Sequence, residues 1–152
     1  MNNGYLDVMK WLYEHCGVNF FSSKALDNAI SNNQLDIVKW IYQTFGKQYF
    51  EYRRITTDDY DMIVFLHETC EIPVTDLYVK YIVVNGNNLE SVKYVLEKST
   101  GDCGFDLQNC KNSQIVDYIC EKYPSSCEVE WYRPHWAGDY LRIKYPNGIT
   151  TT

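Results

Sequence analysis

The chain has 152 residues, 45% of them hydrophobic and 22% charged, a composition that excludes a wholly disordered polypeptide. Its formal charge is −6, from 14 basic and 20 acidic residues. That excludes nucleic acid as the main partner, because no basic stripe is present to neutralise phosphates. No run approaches the roughly 20 apolar residues that span a bilayer, so no membrane partner is expected.

The length fits one domain by the usual prior. Met1 to Lys10 lack the basic-then-apolar order of a secretory signal. Six cysteines occur without CxxC pairs or tight spacing. Together these point to an intracellular, cytoplasmic chain with free thiols (host cytoplasm if the source is viral).

One phrase recurs five times around an aromatic residue: Leu6–Tyr13 around Trp11, Leu35–Tyr42 around Trp40, Tyr60–His67 around Phe65, Leu89–Leu96 around Tyr94 and Ser113–Cys120 around Tyr118. The rings stand 29, 25, 29 and 24 residues apart. Repetition on this scale predicts stacked supersecondary units, with length differences absorbed in alternate connections.

The first unit, 1–17, holds only the phrase helix. It leaves one side of Val8, Met9, Trp11 and Leu12 uncovered, an edge open to self-association. In the second unit, 18–46, Ser22 and Ser23 cap a helix with Ala25, Leu26, Ala29 and Ile30 on one face. Ser31-Asn32-Asn33 turns the chain into a second helix from Leu35, which ends at Gly46. The third unit, 47–71, is the most degenerate. There Tyr49 to Ile55 must serve as the first helix and Tyr60 to Glu68 as the second.

The fourth unit, 72–100, predicts helices over Asp76–Val84 and Leu89–Lys98, joined by Asn85-Gly86-Asn87-Asn88. The fifth, 101–126, predicts Leu107–Cys110 and Ser113–Lys122. Residues 127–152 break the pattern. Tyr140 to Tyr145 alternate strictly and Pro134 to Gly138 read as a turn, so a small β-rich segment is expected, either sealing the array or docking a partner.

Asn33-Gln34-Leu35-Asp36-Ile37-Val38-Lys39-Trp40 and Asn87-Asn88-Leu89-Glu90-Ser91-Val92-Lys93-Tyr94, with Asn3 to His15, resemble the second-helix signature of ankyrin repeats. The aromatic at the anchor position resembles the divergent ankyrin proteins of giant DNA viruses and amoebae. The resemblance covers about residues 3 to 122. It implies an all-α solenoid of αα-hairpins, about four and a half short repeats here. The family's T-P-L-H-x-A opening is absent. The spacings are shorter than its usual ~33 residues, which places the missing residues in the protruding β-turn finger.

Such arrays present surfaces to partner proteins and carry no chemistry of their own. The expected function is therefore non-catalytic protein binding, as an adaptor or effector scaffold. The alternative is a structural subunit of a larger assembly, docked through the N-terminal edge and the C-terminal arm. Two partner-binding groups stand out. One is Lys47, Tyr49, Tyr52, Arg53 and Arg54, a basic and aromatic cluster in an acidic chain that suits an acidic partner segment. The other is Trp131, Tyr132, Arg133 and Trp136, residue types that dominate interfaces.

His67-x-x-Cys70 and His15-Cys16 fall short of the four paired ligands of a structural zinc site. No Gly-rich phosphate loop, G-x-S-x-G or H-E-x-x-H occurs. No metal, cofactor or enzymatic activity is expected. The rings are expected to rivet adjacent hairpins, so that Trp40→Ala would cost about 3–5 kcal/mol.

Overall fold

The computed structural model describes residues 4–17, 22–99 and 107–124. These residues are all-α and contain no strand. The expected β-rich segment at 127–152 lies outside them. The chain forms two compact units, Met1–Pro73 and Val74–Thr152.

The first unit begins with α1 (Gly4–Cys16), followed by α2 (Ser23–Ser31) and α3 (Leu35–Phe45). In α2, Leu26, Ala29 and Ile30 are buried, an i, i+3, i+4 face. It packs as a hairpin on α3, which buries Ile37, Val38 and Ile41. Asn33 makes the link at φ 54, a left-handed conformation that Asn tolerates better than most residues. Ser22 stands at the start of α2, but its side chain makes no capping hydrogen bond. Gly46 ends α3 at φ 78, and a Cβ there would sit 2.7 Å from the Gln48 side chain.

The helix expected over Tyr49–Ile55 does not form. A four-residue 3₁₀ turn, Lys47–Phe50, takes its place, and 53–59 run without helix. The break falls at Tyr52, whose φ of 64 no helix accommodates. Phe50 and Ile55 are nonetheless buried, so the segment still contributes apolar side chains to the core. The chain then enters α4 (Tyr60–Val64), which continues as a π turn over Phe65–Thr69. Asp59 caps α4, its Oδ1 accepting from the Met62 N–H at 2.9 Å. The wide turn closes with the Cys70 N–H donating to the Phe65 carbonyl at 3.2 Å.

The second unit repeats the hairpin with α5 (Asp76–Asn85) and α6 (Leu89–Lys98). Thr75 caps α5 and Asn88 caps α6. Gly86 leads out of α5, where a Cβ would lie 2.4 Å from the Ile82 carbonyl oxygen. Only glycine fits so close an approach. A 3₁₀ turn, Leu107–Asn109, precedes α7 (Ser113–Lys122), which Asn112 caps.

The phrase has a consistent burial pattern. The residues three before, two before and one after the ring are buried in four helices: Ile37, Val38, Ile41; Met62, Ile63, Leu66; Ser91, Val92, Val95; Ile115, Val116, Ile119. Each aliphatic burial stabilises by roughly 1.5–3 kcal/mol. The rings themselves, Trp40, Phe65, Tyr94 and Tyr118, are only half-buried. They edge the core rather than form it.

Candidate functional surface

Three of the rings, Trp40, Phe65 and Tyr118, touch the preceding phrase helix within a unit. Tyr13 meets Trp40 edge-on at 5.7 Å, and Tyr42 meets Phe65 in the same way at 5.8 Å. In each pair the residue two after one ring touches the next ring along the chain. The phrase lysine adds a second contact. Lys39 lies 5.9 Å from the centre of Phe65, and Lys93 lies 5.6 Å from that of Tyr118.

The turns join as well. The Thr57 hydroxyl donates to Asn33 Oδ1 in the first unit. In the second, the Asn112 side chain donates to the Asn87 carbonyl at 3.2 Å, and Lys111 donates to the Asn85 side chain at 3.1 Å.

These joints account for most of the expected basic cluster. Arg53 forks onto both oxygens of Asp27, at 2.8 and 2.9 Å. Lys47 pairs with Glu71. Tyr49 stacks on Phe45 at 5.1 Å. Three of the five candidates therefore serve the unit's own architecture. The structure leaves two facing solvent. Tyr52 is 99% exposed on its left-handed turn. Arg54 is exposed, and no ion pair or hydrogen bond engages it among the described residues. Trp131, Tyr132, Arg133 and Trp136 lie outside the described residues.

One surface feature escaped sequence reasoning. α5 is apolar on two sides. Tyr78, Val79, Ile82 and Val83 are buried, while Leu77 and Tyr81, one turn apart, stand exposed. Aligning the buried positions of α5 with those of α2 reveals it. Lys24, Asn28 and Ser31 of α2 then correspond to Leu77, Tyr81 and Val84. A polar outward face has become an apolar one.

A shallow groove of ≈ 420 Å³ runs beside Phe65, lined by Leu35, Lys39, Asp61, Val64, Glu68 and Thr69. It mixes both charges and one ring. Among the described residues, no group of three or more His, Cys, Asp or Glu is placed to hold a metal. The His67 ring donates to the Ile72 carbonyl at 3.0 Å. Cys70 is buried, and burial pushes its thiol up to about 12. Burial also raises the Cys110 thiol, offset in part by a backbone hydrogen bond with Asn112. A thiol held protonated is a poor nucleophile and a poor ligand. His15 hydrogen bonds with the Trp11 carbonyl at 2.8 Å and stacks on the Trp11 ring.

Among the described residues no helix is long and apolar enough to cross a membrane. No protein-family model, curated protein or solved structure matches the chain.

Proposed function

We propose that the chain is a non-catalytic protein-binding module, an adaptor or effector scaffold made of about four and a half ankyrin-like hairpins stacked as a solenoid. The observation that carries this reading is the division of labour within the phrase. The same positions build the core and the joints in both units, while Tyr52 and Arg54, and separately Leu77 and Tyr81, are spared for solvent. Exposed Tyr and Arg are the residue types that most often anchor interfaces. Tyr52 holds its exposed place at a left-handed backbone angle, uncommon for a residue with a side chain.

The test is recovery of the tagged chain from its native cells with quantitative mass spectrometry. A protein recovered with the wild type should fall at least tenfold with Tyr52→Ala/Arg54→Glu or with Leu77→Asp/Tyr81→Asp. The thermal melt of each variant should match wild type, because all four side chains are exposed. An unchanged set of recovered proteins in both variants counts against the module.

A second reading, a subunit of a larger assembly docked through the N-terminal edge, is favoured by the exposed apolar residues of α1. Sedimentation separates the two. An adaptor stays monomeric at high concentration, whereas an assembly subunit self-associates.

A further inference from the structure

Asn-Gly is a chemically labile dipeptide. With no side chain beside it, the glycine amide nitrogen can approach the preceding asparagine side chain and close a five-membered ring. The pair occurs at Asn3-Gly4, Asn85-Gly86 and Asn147-Gly148, and of these Asn85-Gly86 lies wholly within the described residues.

The fold uses both members of that pair. A Cβ at position 86 would press on the Ile82 carbonyl oxygen, so the exit from α5 takes glycine. Asn85 is a clamp. Its Nδ2 donates to the Tyr81 carbonyl at 3.2 Å, and its Oδ1 accepts from Lys111 Nζ at 3.1 Å. The Lys111 N–H also donates to the Val84 carbonyl at 3.2 Å, so one residue ties the segment before α7 to the end of α5 twice. The first unit has the same clamp in a safer setting. There Asn32 donates to the Asn28 carbonyl at 2.8 Å, but Asn33 follows it instead of glycine.

These contacts also hold the two reacting groups apart. Donation to Tyr81, four residues back, turns the Asn85 amide toward the preceding helical turn and away from the Gly86 nitrogen. The Gly86 N–H is engaged by the Ile82 carbonyl at 2.8 Å, and Gly86 itself is buried. Ring closure needs that nitrogen released and that side chain swung forward. We propose that Asn85 is a spontaneous deamidation site that the folded chain keeps latent, with Lys111 as part of the lock.

When the turn opens, the Gly86 nitrogen attacks Asn85 Cγ. The N–Cγ bond forms, the Cγ–Nδ2 bond breaks, and Nδ2 leaves as ammonia with the proton that Gly86 gives up. Water then opens the succinimide ring. Attack at Cγ gives aspartate, and attack at the Asn85 backbone carbonyl gives isoaspartate. Either product removes the donor to Tyr81. Isoaspartate also adds a methylene to the backbone, which displaces the Gly86 amide from Ile82. The modification therefore loosens the joint between the α5–α6 turn and the segment before α7, and it marks chains in which that turn has opened.

The test is peptide mapping by mass spectrometry after prolonged incubation of the full chain at physiological temperature, beside a synthetic peptide of residues 78–90. The peptide should accumulate aspartate and isoaspartate at Asn85. The folded chain should convert about tenfold more slowly, because opening breaks the Gly86 and Lys111 hydrogen bonds together. Lys111→Ala, an exposed substitution, should speed conversion of the full chain about fivefold and leave its thermal melt at the wild-type value. A peptide that does not convert removes the site. Equal rates in peptide and folded chain overturn the latency, and an unchanged rate in Lys111→Ala overturns the lock. Faster conversion with a lowered melt overturns the lock too, because general loosening then explains the rate.

Discussion

The hairpins α2–α3 and α5–α6 bury matching positions and differ on the outside. Ile37, Val38 and Ile41 in one correspond to Ser91, Val92 and Val95 in the other. Outward, α2 shows Lys24, Asp27 and Asn28, and α5 shows Leu77 and Tyr81. The joints differ as well. The first unit uses ring-on-ring contacts and a forked Arg53–Asp27 pair. The second uses asparagine caps and an asparagine turn ladder, while a lysine over a ring, Lys39 on Phe65 and Lys93 on Tyr118, is common to both. Burial thus constrains the same three positions of each phrase helix, while positions facing solvent or a neighbour carry different chemistry in the two hairpins.

The largest expected effect comes at high pH, where each unit buries a thiol with a raised pKa. Cys70 in the first unit keeps its proton in the folded chain up to about 12, above its unfolded value of 9.0. Between those values the unfolded chain has lost the proton and the folded chain has not. Stability from this group is therefore fully present below pH 9 and falls as pH rises toward 12, by at most about 4 kcal/mol. Cys70→Ala should flatten that part of the stability–pH curve measured by urea unfolding. A curve that keeps the wild-type slope would show that another group is responsible.

Core deletions come next. Ile41→Ala should cost about 2–4 kcal/mol and Val95→Ala slightly less, because both side chains are fully buried. Trp40→Ala should cost less than Ile41→Ala, about 1–2 kcal/mol, despite its larger ring, because the ring is half-buried and its specific contribution is edge contact with Tyr13. This revises the 3–5 kcal/mol expected from the sequence. Chemical denaturation of the three variants orders them, and a Trp40 variant weaker than Ile41→Ala would restore the ring to the core.

The caps sharpen the contrast further. Asn112 both caps α7 through Oδ1 and donates to the Asn87 carbonyl, so Asn112→Ala should cost about 1–2 kcal/mol. Gln34, at the matching position before α3, makes no capping hydrogen bond. Gln34→Asn should therefore stabilise by about 0.5–1 kcal/mol, visible as a raised melting temperature. The smallest effect is Arg53→Lys. The fork onto Asp27 is lost but the charge stays, and the pair is partly exposed, so about 0.5 kcal/mol is expected.

The second helices were legible because each writes its signals locally. α6 and α7 run from Leu89 to Lys98 and from Ser113 to Lys122, as periodicity and the flanking asparagines predict. The Tyr49–Ile55 segment was not. Its composition suits a helix, and nothing in it announces that Tyr52 will take a left-handed angle. The π turn at Phe65–Thr69 was equally silent, since its spacing differs from an α-turn by one residue only.

The candidate surface was half legible. Lys47, Tyr49 and Arg53 were read as free because their partners Glu71, Phe45 and Asp27 are joined to them only by the fold. Leu77 and Tyr81 were absorbed into the apolar run of α5, where periodicity cannot separate an inner face from an outer one. Comparing two repeats of one chain recovers what a single helix conceals.

The joints have a kinetic consequence. Tyr13 and Trp40 are 27 residues apart, Tyr42 and Phe65 are 23 apart, and Arg53 and Asp27 are 26 apart. Closing a flexible segment of that size costs roughly 3 kcal/mol plus a constant, and a longer one adds little. Within a unit, each phrase helix can thus find its neighbour before distant chain is organised. Within each unit, joints between segments this close along the chain should form on the timescale of about a millisecond or faster, and while the polypeptide is still being synthesised the earlier helix already offers the surface on which the later one condenses.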